Sequence, residues 1–223
     1  MKKIILLFAI IISSFGSFGS VVRQKNITIG IIAIGDISNN EIKIVAHSIK
    51  AYYKFSIKFI EKTEFLKTDK KYASDSVFAK DGIEFISKIK SERAELNFLI
   101  GITDRPIMIV QNGKIKVIRG MTNKENVIIS TFKIKKESVN STKYKQHLSK
   151  VALHECGHLL GLVHCTNSCK CFMIGWNTCI DCDECFKITD MDDASKFYNT
   201  DNKMCDKCKK AVELKISELL KDH

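Results

Sequence analysis

The 223-residue sequence predicts an α+β fold in one domain: a mixed, twisted sheet backed by helices, then an active-site helix and a Cys-rich C-terminal part. Three observations predict it. Short β-branched runs alternate with segments of helical periodicity through the first half. A helical stretch ending at Gly161 carries the string HECGHLLGLVHC. All nine Cys lie between Cys156 and Cys208. A content of 45% hydrophobic and 27% charged residues excludes a disordered chain, and 11 Gly with 1 Pro exclude a collagen-like one. A disulfide framework for the whole fold would not leave residues 1–155 without a Cys, so local cross-linking or metal binding in the C-terminal third is expected.

The elements follow in order. Residues 27–34 (ITIGIIAI), closed by Gly35-Asp36, read as a buried strand. Asn39 or Asn40 could cap a helix over 41–54, whose apolar positions Ile42, Val45, Ile49 and Tyr52 are spaced for one face. A second strand is expected over 56–65. A helix over 81–89 presents Ile83, Ile86 and Ile89 at three-residue intervals. Residues 97–102 (NFLIGI) form a third buried strand, stopped by Thr103-Asp104-Arg105-Pro106. Strands over 107–110 and 116–118 flank Asn112-Gly113, which favours a tight hairpin turn. Residues 127–134 (VIISTFKI) read as one more strand and 135–142 as a polar loop. A helix over 143–161 follows, with Gly161 as a left-handed cap, and a last helix over 206–221 has Val212, Ile216, Leu219 and Leu220 on one face. The sheet-bearing part spans about 26–161 and the Cys-rich part about 162–223.

Met1-Lys2-Lys3, the apolar run Ile4 to Ile12 and the small residues Ser17 and Gly19 make residues 1–19 a secretory signal peptide. The run is too short for the ~20 residues that span a bilayer. An exported protein, periplasmic or secreted, is therefore expected, with residues 20–223 soluble, monomeric and off the membrane. The net charge of +11 does not imply nucleic-acid binding, because the lysines are scattered beside acids, as in Asp69-Lys70-Lys71, and form no basic stripe.

His154 and His158 lie four apart and so share a helix face where both can bind one metal. Glu155 can hydrogen-bond a water on that metal without being a ligand. Gly161 lets the chain turn so that His164 becomes the third ligand. Three imidazoles leave a fourth zinc position open for water, as a catalytic site requires. A chance HExxH is expected only about 0.01 times in a chain of this composition, and the added Gly and third His make coincidence rarer still. Zinc lowers the pKa of bound water to around 7, and Glu155 would take the water's proton as it attacks a peptide carbonyl, then pass it to the leaving amine. His47, His147 and His223 stand alone and read as ordinary residues.

HExxHxxGxxH resembles the metzincin clan of zinc peptidases. The residue after the third His is Cys165, followed by Cys171-Phe172-Met173 and a late Cys205-Asp206-Lys207-Cys208, an order similar to the archaemetzincins. The resemblance implies a metzincin-like domain acting on peptides or proteins, with one catalytic and one structural zinc. The structural zinc would be held by Cys165, Cys171, Cys205 and Cys208, with Met173 as the Met-turn residue. A closed four-thiolate site is structural rather than catalytic, and Cys205-x-x-Cys208 suits metal; two disulfides are the alternative in an exported protein.

The sequence departs from the family pattern in places. Five residues separate Cys165 and Cys171, and Cys169 among them could replace Cys171 as the ligand. The interval from Met173 to Cys205 is long and carries Cys179, Cys182 and Cys185, which with Cys169 could bind a third zinc or form two disulfides. Trp176 stands where Ser is common, and export itself is a departure. Cys156 reads as a buried thiol. Two further readings compete with a peptidase: a zinc-stabilised binding module of the same fold with little or no proteolysis, and a Cys-rich interaction domain whose His cluster is structural.

Overall fold

The structure is a computed structural model and describes residues 26–65, 75–165, 171–173 and 203–221. The expected signal peptide, Cys169, Trp176, Cys179, Cys182, Cys185 and His223 lie outside the described residues.

Five strands form the main sheet in the order β2-β1-β4-β8-β7: β1 (Thr28–Ile34), β2 (Ser56–Thr63), β4 (Phe98–Thr103), β7 (Gly120–Thr122) and β8 (Asn126–Ser130). β1 is parallel to β2 and β4, and β4 to β8, while β7 runs antiparallel to β8 at one edge. A smaller sheet joins β3 (Val77–Phe78), β5 (Ile107–Gln111) and β6 (Lys114–Ile118). The helices are α1 (Asn39–Tyr53), α2 (Ala79–Ser91), α3 (Thr131–Glu137), α4 (Ser141–Leu159) and α5 (Asp206–Lys221). The mixed α+β architecture is as the sequence predicts. Among the described residues, no helix is long and apolar enough to cross a membrane.

The apolar runs of β1, β4 and β8 are nearly continuous because both faces of the sheet are covered. Alternate residues feed two cores. Ile29, Ile31, Ile100, Ile102, Val127 and Ile129 pack with α1, α4 and α5, while Ile32, Ile34, Leu99 and Ile128 pack with α2 and the small sheet. The long helix α4 therefore lies against one face of the main sheet, with β7 and β8 beside it.

Local signals shifted several boundaries. α1 is capped by Ser38, not Asn39 or Asn40: its hydroxyl accepts the Glu41 N–H at 3.3 Å, and the Glu41 carboxylate accepts the Ser38 N–H at 2.8 Å. This reciprocal pair satisfies two helix-end donors, which neither Asn achieves. Residues 127–134 are not one strand. β8 ends at Ser130, whose hydroxyl accepts the Phe132 N–H at 3.3 Å and starts α3 inside the expected strand, from where it runs into the expected polar loop. β-branched residues at 127–131 suit a strand, but the side-chain cap at Ser130 overrides that preference. The two-residue β3 and the three-residue β7 are too short for a periodic signal and were not expected.

Glu41 ties three helices together. It is buried on α1, accepts a hydrogen bond from the Tyr144 phenol on α4, and pairs with Lys135 of α3 at 3.0 Å. Burial pushes its carboxyl up, but the bonds from Tyr144, Ser38 and Lys135 outweigh that and hold it below the usual carboxylate range. A carboxylate with a depressed folded pKa stabilises the fold above its unfolded pKa and loses that contribution as pH falls through the folded value. Glu41→Gln should cost about 1–3 kcal/mol at neutral pH. The deficit relative to wild type should close as pH drops below about 4, as measured by denaturant unfolding across pH.

Candidate active site

α4 carries His154 and His158 one turn apart, with ring centroids 4.6 Å from each other. The helix ends in a left-handed turn: Gly161 has φ +78, its N–H bonds the His158 carbonyl at 2.9 Å, and the Leu162 N–H bonds the Gly157 carbonyl at 3.0 Å. That turn sends the chain back so that the His164 ring lies 5.3 Å from His154 and 4.9 Å from His158. One ring nitrogen from each of the three lies within 4.8 Å of the others.

The tautomers are settled by the partners. His154 Nδ1–H donates to the Phe172 carbonyl at 2.7 Å, and His158 Nδ1–H donates to the Leu162 carbonyl at 2.7 Å. A carbonyl only accepts, so each Nδ1 holds its proton and each neutral ring presents a lone pair at Nε2. Burial pushes His154 down to about 3, with the neighbouring His158 adding to it, and burial lowers His158 and His164 as well. The two Nε2 atoms stand 3.0 Å apart with neither able to donate. Tetrahedral zinc with ~2.0–2.1 Å bonds sets ligand nitrogens ~3.3 Å apart, so this donor set fits the ion.

Glu155 points to the other neighbour of α4. Its Oε2 accepts the Thr122 hydroxyl of β7 at 2.5 Å. Burial raises its carboxyl to about 7, opposed by the Thr122 bond. Thr122 was not singled out from the sequence, since a Thr in a three-residue strand carries no signal of its own.

A second cluster sits behind His164. Ligand atoms of Cys165, Cys171, Cys205 and Cys208 lie within 4.8 Å of one another. Cys165 Sγ is 3.6 Å from Cys205 Sγ, too far for a disulfide and close to the ~3.8 Å expected between thiolates on tetrahedral zinc. None of the four is in a disulfide. The Cys205 N–H reaches Cys171 Sγ at 3.4 Å. Burial pushes Cys171 up to about 11 against backbone bonds from Cys205 and Met173, so a cation is needed to draw its proton off near neutral pH. Of the two candidates for the second ligand, Cys171 is in the cluster, and Cys169 lies outside the described residues.

The clusters share a backbone. Cys165 N–H donates to the Met173 carbonyl at 2.7 Å, and Phe172, whose carbonyl orients His154, donates its N–H to the Lys203 carbonyl at 3.0 Å. Met173 is fully buried with its sulfur against Gly157 of α4. Cys156 is fully buried and its thiol is held well above the usual range by burial, so it is an inert packing group. His147 is buried against the Ser138 hydroxyl at 2.8 Å and His47 is exposed, so neither joins a cluster.

The three His and Glu155 open onto a cleft of about 1820 Å³, whose walls include β7, the β5–β6 hairpin and the end of α5. Small-molecule pockets run to ~300–1,000 Å³, so this one has room for an extended chain. No protein-family model and no curated protein matches the sequence. The solved structures do. Archaemetzincin (AmzA) from Methanopyrus kandleri superposes with a TM-score of 0.65 at 14% identity, over 88% of this chain and 99% of that one. The chain has the archaemetzincin fold. Archaemetzincin (AmzA) from Archaeoglobus fulgidus, complexed with malonate, gives 0.62 at 16% identity over 83% and 99%. A zinc-dependent peptidase from Methanocorpusculum labreanum gives 0.59 at 13% over 82% and 99%. The archaemetzincin fold is thus shared at identities of 13–16%.

A Cβ at position 157 would meet the Met173 sulfur. Gly157→Ala should therefore destabilise by about 1–3 kcal/mol through overpacking. A lower urea midpoint at unchanged m-value checks it.

Proposed function

We propose that the chain is a zinc-dependent peptidase of archaemetzincin type. His154, His158 and His164 bind the catalytic zinc, Glu155 is the general base, Cys165, Cys171, Cys205 and Cys208 hold a structural zinc, and Met173 is the Met-turn residue beneath the site. The observation that carries this reading is the convergence of two lone-pair nitrogens 3.0 Å apart, with His164 beside them, onto an open cleft. The zinc-dependent peptidase among the solved structures with this fold supports it.

Zinc at the three imidazoles supplies Lewis acidity and a water acidic enough to lose its proton at neutral pH. The protein does the rest. The Phe172 and Leu162 carbonyls keep the His154 and His158 rings in the ligating tautomer. Glu155 accepts the proton of the attacking water and returns it to the departing amine, without a covalent enzyme intermediate. The substrate is a peptide because β7 pairs only with β8 among the described residues and offers its outer edge to an extended chain, whose backbone it can hydrogen-bond beside Glu155. The proposal includes export, for which the sequence of residues 1–19 is the support.

Glu155→Gln should keep zinc and lower kcat by at least about 100-fold on a cleavable peptide. Wild-type rates in that variant would overturn Glu155 as the general base, while a zinc-loaded wild-type protein that cleaves no peptide would overturn the peptidase reading and leave a zinc-stabilised binding module. Cys208→Ser should lose one zinc per chain by elemental analysis and fall in thermal stability, while full zinc content would rule out the four-Cys site.

A further inference from the structure

The proposed base is not held by its own helix. Gly120 and Thr122 are two residues apart on β7, so they share one face of the strand. Both meet the Glu155 carboxylate. The Thr122 hydroxyl donates to Oε2 at 2.5 Å. At Gly120 a Cβ would lie 2.7 Å from Oε1 and 2.9 Å from both Cδ and Cγ of Glu155, so only glycine leaves the carboxylate its place. One oxygen is thus backed by bare backbone and the other is tied to a hydroxyl. The strand itself is anchored at its start. Arg119 donates two hydrogen bonds to the Glu137 carboxylate of α3, at 2.6 and 2.5 Å, and its carbonyl accepts the Ser130 N–H at 2.7 Å.

We propose that Thr122 and Gly120 form a slot that fixes the Glu155 carboxylate, with Thr122 as a positioning residue for the general base. This rests on the reading of Glu155 as that base. A Glu side chain has three rotatable bonds, and an untethered carboxylate spends most of its time out of line with the proton it must take. The slot removes that freedom before substrate arrives. It also places the tether on the strand whose outer edge faces the substrate, so a peptide paired to β7 is registered against the base through a single three-residue segment.

The test compares Thr122→Val, which keeps the shape and removes the donor, with Thr122→Ser, which restores the hydroxyl. Loss of one hydrogen bond to a charged acceptor should lower kcat by about 10–100-fold, with KM within about two-fold of wild type. Thr122→Ser should recover kcat to within about three-fold, and zinc content should stay at the wild-type value in both. Crystal structures of both zinc-loaded variants should show the carboxylate swung away in the Val protein and in place in the Ser protein. Wild-type kcat in Thr122→Val, a higher kcat, equal losses in both variants, or an unmoved carboxylate would each overturn the proposal. If the wild-type protein cleaves no peptide, the peptidase reading fails, and if Glu155→Gln is fully active, the reading of Glu155 as the base fails; in either case the crystallographic comparison still decides whether Thr122 fixes the carboxylate.

Discussion

Two neutral imidazoles have their Nε2 lone pairs kept 3.0 Å apart by the surrounding backbone, and the site rests on that hold. Each ring is denied the escape of flipping its proton, because its Nδ1–H is committed to a backbone carbonyl. A cation held between the rings would meet both lone pairs; the desolvation of the His154 ring is already met in folding, and that of the ion would be offset by the ligand bonds themselves. A helix of 19 residues braced against a sheet is a scaffold stiff enough to hold such a pair without cancelling it by small motions.

The two side-chain clusters behave as one assembly. Cys165 follows His164 directly, and the Cys171–Met173 segment supplies both a thiol to one cluster and the orienting carbonyl to the other. A shift in the four-Cys site is therefore transmitted through a single peptide unit to His154. The same logic holds on the opposite side of α4, where the edge strand reaches Glu155 from the sheet. The three imidazoles come from the helix and its following loop; Leu162 of that loop orients His158, while His154 and Glu155 are oriented from elsewhere in the chain, by Phe172 and Thr122.

The readable parts of the sequence were those in which local chemistry and spacing carry the information. The His154, Glu155 and His158 spacing, the turn at Gly161 and the buried runs of β1 and β4 depend on residues only a few positions apart, and the structure places them as expected. Thr122, Gly120 and the Phe172 carbonyl were illegible because their roles depend on contacts across 33, 35 and 18 positions that no periodic pattern encodes. The Ser130 break was misread for a different reason: a single cap hydrogen bond reversed what a β-branched run favours. Cys171 could not be separated from Cys169 by counting, since spacing alone does not say which thiol meets the others; the structure puts Cys171 in the cluster, beside its bridge to Lys203, and Cys169 lies outside the described residues.

That bridge also sets a schedule. The carbonyl that steadies His154 belongs to Phe172, and Phe172 is fastened by Lys203, two residues before Cys205 at the start of the final helix. During synthesis the ribosome has already released the HExxH helix while these fasteners are still untranslated. A nascent chain thus carries His154, His158 and His164 before the Lys203 carbonyl that fastens Phe172 exists, so the orientation of the His154 ring is completed by a later part of the chain than the rings themselves.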